Sequence, residues 1–251
     1  MDLTAFLTAQ VTGFVLVFAR LGSTFMFMPG FGEALIPVRV RLAFGLVVSV
    51  ALRPAVDVPD TEFANVLQLL FAIGLELTIG IWIGMTARII MSAIQFAGYQ
   101  VGLTSGLANA FSNELGSFQG STLIASALLM AGAALIFASD LHYLIIDALM
   151  RSYEVFPLGG LMPGDMAQQI LRAGGMSFYI GAMIAAPFFV MSLVLNVGFG
   201  LANRMMPTLP VFFIAAPVLI ASGLFVLVMA SPMMLHVVHD RLADWLNGMV
   251  F

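Results

Sequence analysis

Long runs of apolar residues, separated by short groups of proline and glycine, dominate this sequence. A helix needs about 20 such residues to cross the hydrocarbon core of a bilayer, where each backbone amide must find its partner inside the protein. The strands of a membrane β-barrel would instead alternate apolar and polar residues. The runs in this chain do not alternate, so they predict an all-α membrane protein.

The charge content supports the same fold class. Only 9% of the residues are charged and the mean hydropathy is +1.07, whereas a soluble domain carries about 25% charged residues. The net charge is −4 and all nine basic residues are arginine, so no nucleic-acid partner is expected. The chain has no cysteine, which excludes disulfides and thiolate metal ligands.

Six apolar stretches are long enough, or nearly long enough, to span a membrane. They cover residues 11–28, 42–56, 63–87, 122–149, 174–199 and 209–238. A seventh stretch, residues 89–107, carries Gln95, Tyr99 and Gln100 among its apolar residues. We expect that helix to be buried among other helices and not to face lipid.

Glycines recur at four-residue spacing in two places. Gly80 and Gly84 form one step, and Gly98, Gly102 and Gly106 form a second. Residues four apart lie on one helix face, and glycine there allows two helix backbones to approach closely. The pattern fits helix packing within the chain, and it also fits packing between subunits of an oligomer.

Three ionisable residues, Arg20, Glu76 and Arg88, lie well inside apolar stretches. Placing such a charge in a membrane costs at least about 2.5–3.5 kcal/mol, so each needs a partner or a wet cavity. Glu76 and Arg88 are three turns apart on one helix and cannot pair, whereas Arg20 and Glu76 can pair between helices. A structural ion pair and an ion or proton relay are both open at this stage.

Catalytic and metal-binding motifs are scarce. His236, His239 and Asp240 share one helix face, but nothing nearby in the sequence completes a site, so no metal is expected. No phosphate-binding loop, nucleophile elbow or zinc-protease motif occurs, so we expect neither an enzyme nor a cofactor. A small-solute secondary transporter would be expected to show internal repeats, and none is convincing here.

The least membrane-like segment of useful length covers residues 106–121. Its residues are mostly small and polar, with a few apolar ones and a single charge. It fits a surface loop, and it also fits a loop folded back into the interior of the protein. The residues of interest in it are Gly106, Asn109, Phe111, Ser112, Asn113, Glu114, Leu115 and Phe118.

Several short motifs follow one another in a set order along the chain. Each is weak alone, but their order and spacing together are specific. They are Phe18-Ala19-Arg20, Pro29-Gly30-Phe31-Gly32 with Ile36-Pro37 and Arg39 and Arg41, Glu76 with Gly80 and Gly84, Arg172-Ala173-Gly174-Gly175 with Pro187, and Asn196 through Gly200-Leu201-Ala202-Asn203-Arg204-Met205-Met206-Pro207.

In this order and spacing, the motifs resemble the FliR family of flagellar export-gate proteins across essentially the whole chain. Similar proteins serve the injectisomes of pathogenic bacteria, and the motifs leave this alternative open. The resemblance implies helical hairpins packed in a multi-subunit export gate with FliP and FliQ homologues, next to FlhB and FlhA. Such a gate lies in the bacterial inner membrane at the flagellar basal body and conducts unfolded export substrates.

The resemblance also implies roles for parts of this chain. Residues 1–200 would form a FliP-like region whose plug loop is residues 106–121. The helix at 174–199 and residues 201–251 would form a FliQ-like C-terminal hairpin within one integrated membrane domain. The tip of that hairpin, with Asn203, Arg204 and Pro207, would face FlhB.

Overall fold

The computed structural model describes residues 3–56, 63, 65–107, 119–158, 160–206 and 211–248. These residues form helices and connecting turns, and no strand occurs among them, which confirms the predicted all-α membrane fold. The elements are α1 (Leu3–Phe27), α2 (Val38–Leu52), a 3-10 turn (Arg53–Ala55), α3 (Val66–Thr104), α4 (Gln119–Ala138), α5 (Leu141–Val155), α6 (Pro163–Met205) and α7 (Val211–Asn247).

Four helices in the described part of the chain, α1, α3, α6 and α7, are long and apolar enough to cross a membrane. Helices α4 and α5 count as a fifth candidate only if they form one span broken by a bend of 76°. The six predicted spans are therefore corrected to four or five. The stretch at 42–56 contributes to α2, which has only 15 residues and is too short to cross.

Helix α3 joins two stretches that the sequence analysis had separated at Arg88. Arginine is a good helix former, so its charge interrupts the hydropathy without interrupting the helix. The resulting helix has 39 residues, or about 59 Å at 1.5 Å per residue. That is about twice the thickness of a hydrocarbon core, so one bilayer crossing does not account for its whole length.

The predicted stretch at 122–149 is divided at Asp140, which has φ 59° and ψ 13°. Aspartate is one of the few residues that adopt this left-handed conformation readily. The helix that follows, α5, is amphipathic: Leu141, Ile145 and Leu149 are buried. Asp147 lies on its open side, with its side chain 63% exposed.

Helix α6 has polar residues suited to its two ends. Pro163 occupies the first turn, where its missing amide hydrogen costs nothing, and Asp165 lies next to the positive end of the helix dipole. Arg204 lies in the last turn, next to the negative end. Pro187 is accommodated inside the helix, as prolines are in membrane helices.

The described helices form two compact units. Unit 1 takes its residues from Met1–Ile89, Ile136–Ala173 and Leu242–Phe251, and unit 2 from Ile90–Leu135 and Gly174–Arg241. The division falls within α3, α4, α6 and α7, so each of these helices contributes one part to each unit.

An aromatic cluster in unit 1 reaches from the buried Phe25 to Phe44 and Phe137, which are exposed by 36% and 43%. The ring centroids of Phe25, Phe31, Phe44 and Phe137 lie 5.0–5.2 Å from their neighbours in the cluster. Gly30, with φ 83°, makes the turn that brings Phe31 among these rings. A Cβ atom on Gly30 would lie 3.3 Å from the Phe137 ring.

The first glycine step brings α1 and α3 into direct backbone contact in unit 1. A Cβ atom on Gly84 would lie 2.7 Å from the carbonyl oxygen of Thr24, and one on Gly80 would overlap the carbonyl oxygen of Arg20. Residue numbers rise together along this contact, so the two helix segments run in parallel. At both glycines the packing is within the chain.

The second glycine step lies in unit 2. A Cβ atom on Gly98 would lie 2.6 Å from the Cα atom of Ala125 in α4, and Gly102 is buried. A glycine of α6 packs on α3 in the same way, because a Cβ atom on Gly181 would lie 3.0 Å from the Ala93 carbonyl oxygen. The contact at Gly98 is therefore also within the chain.

We predict that Gly80→Ala destabilises the chain by about 1–3 kcal/mol, since α1 must move away from α3 to make room for the methyl group. Gly74→Ala is the matched control in the same helix, because no atom beyond its own turns of helix lies within 4 Å of its Cβ position. The control should be neutral or stabilising by up to about 1 kcal/mol. Apparent melting temperatures of the purified chain in detergent compare the two, and equal values would contradict the packing role of Gly80.

Candidate functional site

Arg20 of α1 and Glu76 of α3 form an ion pair in the interior of unit 1. The Arg20 Nε atom donates to Glu76 Oε2 at 2.6 Å, and both side chains are 0% exposed. Glu76 lies one turn before Gly80 on the same face of α3. The glycine contact therefore brings α1 close enough for Arg20 to reach the carboxylate.

The rest of the Arg20 guanidinium binds the C-terminal end of α5. Nη1 donates to the Ser152 carbonyl oxygen at 3.0 Å, and Nη2 donates to the Phe156 carbonyl oxygen at 2.8 Å. The centroid of the Tyr153 ring lies 4.0 Å from the guanidinium carbon of Arg20. Carbonyls at this end of a helix carry partial negative charge, which suits a cation. One side chain thus connects α1, α3 and α5.

Trp82 makes a second connection from α3. Its indole Nε1 donates to the carbonyl oxygen of Met166 in the first turns of α6 at 2.9 Å. Its ring lies 5.6 Å from the Phe156 ring and 6.5 Å from the Trp245 ring. Arg20 and Trp82 together hold both ends of the connection from α5 to α6.

The chemistry of this cluster favours a structural ion pair over a relay. The partners of the Arg20 guanidinium are a carboxylate, two backbone carbonyls, the Ser152 hydroxyl and an aromatic ring. A relay needs several groups in series that gain and lose protons. Arginine keeps its charge and backbone carbonyls do not titrate, so Glu76 and Tyr153 are the titratable groups in contact with Arg20, too few for a chain of proton transfers.

The Arg20–Glu76 ion pair could be predicted from the sequence. The role of the Ser152 and Phe156 carbonyls as acceptors for Arg20 could not. Every residue has a backbone carbonyl, so residue types do not show which carbonyl serves as a hydrogen-bond acceptor. Tyr153 offered a faint signal, since it is a polar aromatic residue in the middle of an amphipathic segment.

Arg88 was grouped with these buried charges, and the structure corrects that assignment: its side chain is 45% exposed. It donates to the carbonyl oxygens of Phe27 at 2.9 Å and Gly32 at 2.8 Å. Its Nη2 atom lies 3.7 Å from the Glu33 Oε1 atom. The last carbonyls of a helix lack helical partners. The long Arg88 side chain reaches them while its head group stays partly exposed.

The predicted plug falls mostly outside the described residues. Gly106 is described, with φ 71°, and a Cβ atom there would lie 3.6 Å from Leu219 Cβ in α7. The other predicted plug residues lie outside the described part of the chain: Asn109, Phe111, Ser112, Asn113, Glu114, Leu115 and Phe118.

The predicted hairpin tip is described in part. Asn203 and Arg204 are exposed in the last turn of α6, and Pro207 lies outside the described residues. Below the tip, a cleft of about 500 Å³ opens between the end of α6 and the start of α7 in unit 2. Its wall includes Asn203, Leu219 and Gly106. The cleft could not be predicted from the sequence, because its lining is mostly small and apolar.

The metal alternative receives no support from the described residues, where no group of three or more His, Asp or Glu side chains could hold an ion. The His239 Nδ1 atom lies 2.9 Å from the Leu235 carbonyl oxygen in its own helix. That contact accounts for one of its two ring nitrogens.

Comparison with known proteins identifies the family. The profile of the bacterial export proteins, family 1, matches residues 11–245. The chain belongs to this family. It is 36% identical over 248 residues to the flagellar biosynthetic protein FliR of Caulobacter vibrioides, covering 98% of this chain and 99% of that protein.

More distant relatives of this bacterial export protein point the same way. The FliR protein of Escherichia coli is 27% identical over 206 residues, covering 82% of this chain and 78% of that protein. The Yop proteins translocation protein T of Yersinia pestis is 26% identical over 229 residues, covering 89% of this chain and 87% of that protein. The predicted resemblance is confirmed: the chain is a membrane-embedded component of flagellar type III export, and the injectisome proteins are a related family.

We predict that Glu76→Gln lowers the stability of the chain by roughly 3–5 kcal/mol, because Arg20 is left buried without a counter-charge. Glu154→Gln makes the same chemical change at an exposed residue of α5 and should have little effect. The two variants are compared by their apparent melting temperatures in detergent and by the amount of each protein in membranes.

The same variant separates the two interpretations of the pair. If the pair is structural, export per assembled molecule stays near the level of the unsubstituted protein. Normal melting and normal abundance together with loss of export would instead identify Glu76 as part of a relay.

Proposed function

We propose that this chain is a core channel subunit of the flagellar type III export gate and helps to conduct unfolded flagellar proteins across the inner membrane. The observation that carries the proposal is the 36% identity to a flagellar FliR protein over nearly the full length of both chains.

A conduit agrees with the physical character of the molecule better than a catalyst does. The helices are apolar, and those of each unit approach through glycines, which suits crowding around a narrow path. The chain also has 18 methionines, whose flexible side chains adapt to varied neighbours. With no nucleotide-binding motif in the sequence, the energy for export would come from other components.

We propose FliP and FliQ homologues as the neighbours in the membrane, with FlhB and FlhA as further components of the apparatus. Helix α2 supports a protein neighbour, because it is too short to span a bilayer yet exposes Val38, Val47 and Val50 by 56–64%. Residues 174–251 would form the FliQ-like hairpin. Its tip, with Asn203, Arg204 and Pro207, would face FlhB.

The injectisome proteins are a related family, represented by the Yersinia protein, so secretion of virulence substrates is measured beside flagellar secretion. A small-solute transporter is a weaker alternative. The substrates that stop being secreted when the gene is removed distinguish the three.

We predict that deletion of the gene abolishes secretion of hook and filament proteins and that the intact gene restores it. Culture supernatants and cell pellets are compared by immunoblotting for these proteins. An injectisome subunit would instead remove virulence substrates from the supernatant and leave the flagella unchanged. Secretion of both groups in the deletion strain would contradict a role in type III export.

We further propose that residues 106–121 close the channel at rest. A pore wide enough for a polypeptide must be sealed, since an open one would dissipate a gradient worth about 2.3 kcal/mol per charge per 100 mV. Phe111, Leu115 and Phe118 supply bulk for a seal, and the single charge at Glu114 leaves the segment easy to displace.

Removal of residues 109–117 should therefore leave the complex assembled but leaky. The expected result is slower growth and a partly depolarised membrane, measured with a membrane-potential dye in cells that overproduce the complex. Copurification of FliP and FliQ homologues controls for assembly. An assembled variant with the resting conductance of the intact complex would place the seal elsewhere.

A further inference from the structure

Two arginine side chains from different helices satisfy the backbone of the connection between α1 and α2. We call this connection, residues 28–37, the α1–α2 loop. Arg41 of α2 donates from Nε to the Ile36 carbonyl oxygen at 2.9 Å, and its Nη2 atom donates to the Glu33 carbonyl oxygen. Arg88 of α3 holds the other end of the loop through the two carbonyls described above.

Main-chain amides satisfy further carbonyls of the same loop. The amides of Phe31 and Gly32 donate to the Met28 carbonyl oxygen at 3.2 and 2.7 Å, and the Val40 amide donates to that of Pro37 at 2.9 Å. A loop that stays in water does not need such partners, because water satisfies its carbonyls. A loop that becomes buried must bring its own partners. The backbone of the α1–α2 loop is therefore prepared for burial.

The inner side of the loop is fixed against unit 1. Met28 is 0% exposed, and the Phe31 ring belongs to the aromatic cluster. The backbone also passes close to α1, because a Cβ atom on Gly32 would lie 2.6 Å from the Met26 carbonyl oxygen. The loop therefore has one well-defined conformation before any partner binds.

The outer side of the loop is open and apolar. Ala34 and Pro37 are exposed, Leu35 is 74% exposed, and Val38 at the start of α2 is 56% exposed. A loop whose backbone is prepared for burial thus presents an uncovered leucine. The cover must come from outside the described part of the chain.

The charges at the loop indicate what kind of cover fits. Arg41 and Arg88 bind the loop and Glu33 belongs to it, so one positive charge is in excess. The loop contacts use Nε and Nη2 of both arginines, and neither Nη1 atom has an acceptor among the described residues. Hydrocarbon is a poor cover, because the Arg88 side chain is 45% exposed and a charge in hydrocarbon is costly. A protein surface with an acidic side chain complements the loop.

We propose that the open side of the α1–α2 loop is a docking surface for a neighbouring subunit of the export gate. That subunit receives Leu35 in an apolar pocket and meets Arg88 with an acidic side chain. Arg41 and Arg88 are positioning residues, which fix the loop in advance and so reduce the entropy lost on binding. The inference rests on the proposed function and names a contact surface for assembly.

Leu35→Ala tests the docking surface in the assembled complex. The complex is extracted in mild detergent, and the other subunits that copurify with this chain are quantified. We expect at least an about fivefold loss, as for an interface anchor. The apparent melting temperature of the purified chain should not change, because Leu35 is exposed in it.

Leu67→Ala is the matched control, since Leu67 of α3 is 77% exposed in the same unit. Copurification with this variant should stay within about twofold of that with the unsubstituted chain. Equal losses at the two positions would show a general effect of removing exposed leucines and would overturn the proposal. Unchanged copurification with Leu35→Ala would overturn it as well.

A photo-crosslinking amino acid at position 35 identifies the partner surface. We expect a crosslink to another subunit of the gate, at a segment that carries an aspartate or glutamate, as located by mass spectrometry of the crosslinked peptide. An assembled complex without a crosslink from position 35 to another subunit would contradict the proposal. A crosslinked segment without an acidic residue would contradict it too.

Arg88→Gln tests whether Arg88 positions the loop for docking. In the free chain, water can replace the lost donors, because Arg88 is partly exposed, so the melting temperature should match that of Arg39→Gln. Arg39 is an exposed arginine in the first turn of α2, so this control removes the same charge. In the complex the carbonyls are buried, so Arg88→Gln should lower copurification at least about fivefold more than the control. An equal effect of both variants on copurification, or a matching fall in the melting temperature of the free Arg88→Gln chain, would contradict the positioning role.

Failure of this inference and failure of the proposed function give different results. If the gene deletion abolishes flagellar secretion but the Leu35→Ala complex stays intact, the export role stands and only the docking surface is wrong. If the deletion leaves flagellar secretion unchanged, the proposed function fails whatever the copurification shows.

Discussion

The buried guanidinium of Arg20 is the interaction on which the arrangement of unit 1 depends. A charge removed from water is tolerated only when its partners are complete and well placed. Arg20 meets this condition with the Glu76 carboxylate and the carbonyls of Ser152 and Phe156. These acceptors come from α3 and from the end of α5, so all three segments must hold their positions together.

Close helix contact makes this arrangement available. Without a side chain at Gly80, the backbone of α1 reaches α3 at the level of Arg20, and the ion pair forms one turn away. Dispersion contacts and the charge interaction therefore support each other. In a membrane, where apolar side chains gain little by leaving lipid for protein, such close contacts supply much of the packing energy.

Local chemistry also separates the surfaces of unit 2. The open sides of α6 and α7 are apolar, while the exposed residues of α3 between positions 90 and 104 include both the polar Gln95 and the apolar Leu103.

Several expectations from the sequence hold because they depend on composition or on spacing along one helix. Low charge and long apolar runs are sufficient for the all-α membrane class, and four-residue glycine spacing is sufficient for close packing. The number of membrane spans predicted from hydropathy was wrong where the ends of an apolar stretch are not the ends of a helix. The charge of Arg88 lowers hydropathy without ending α3, and the left-handed backbone at Asp140 ends a helix inside an apolar run.

Residue types and their order are enough to predict the membrane class, the family and the need for a partner at Arg20 and Glu76. Only the packing of the helices shows which acceptors complete the Arg20 site and why Arg88 remains partly exposed. These outcomes depend on backbone carbonyls and on helix rotation. Backbone carbonyls are common to all residues, and the rotation of a helix is set only when its neighbours pack against it.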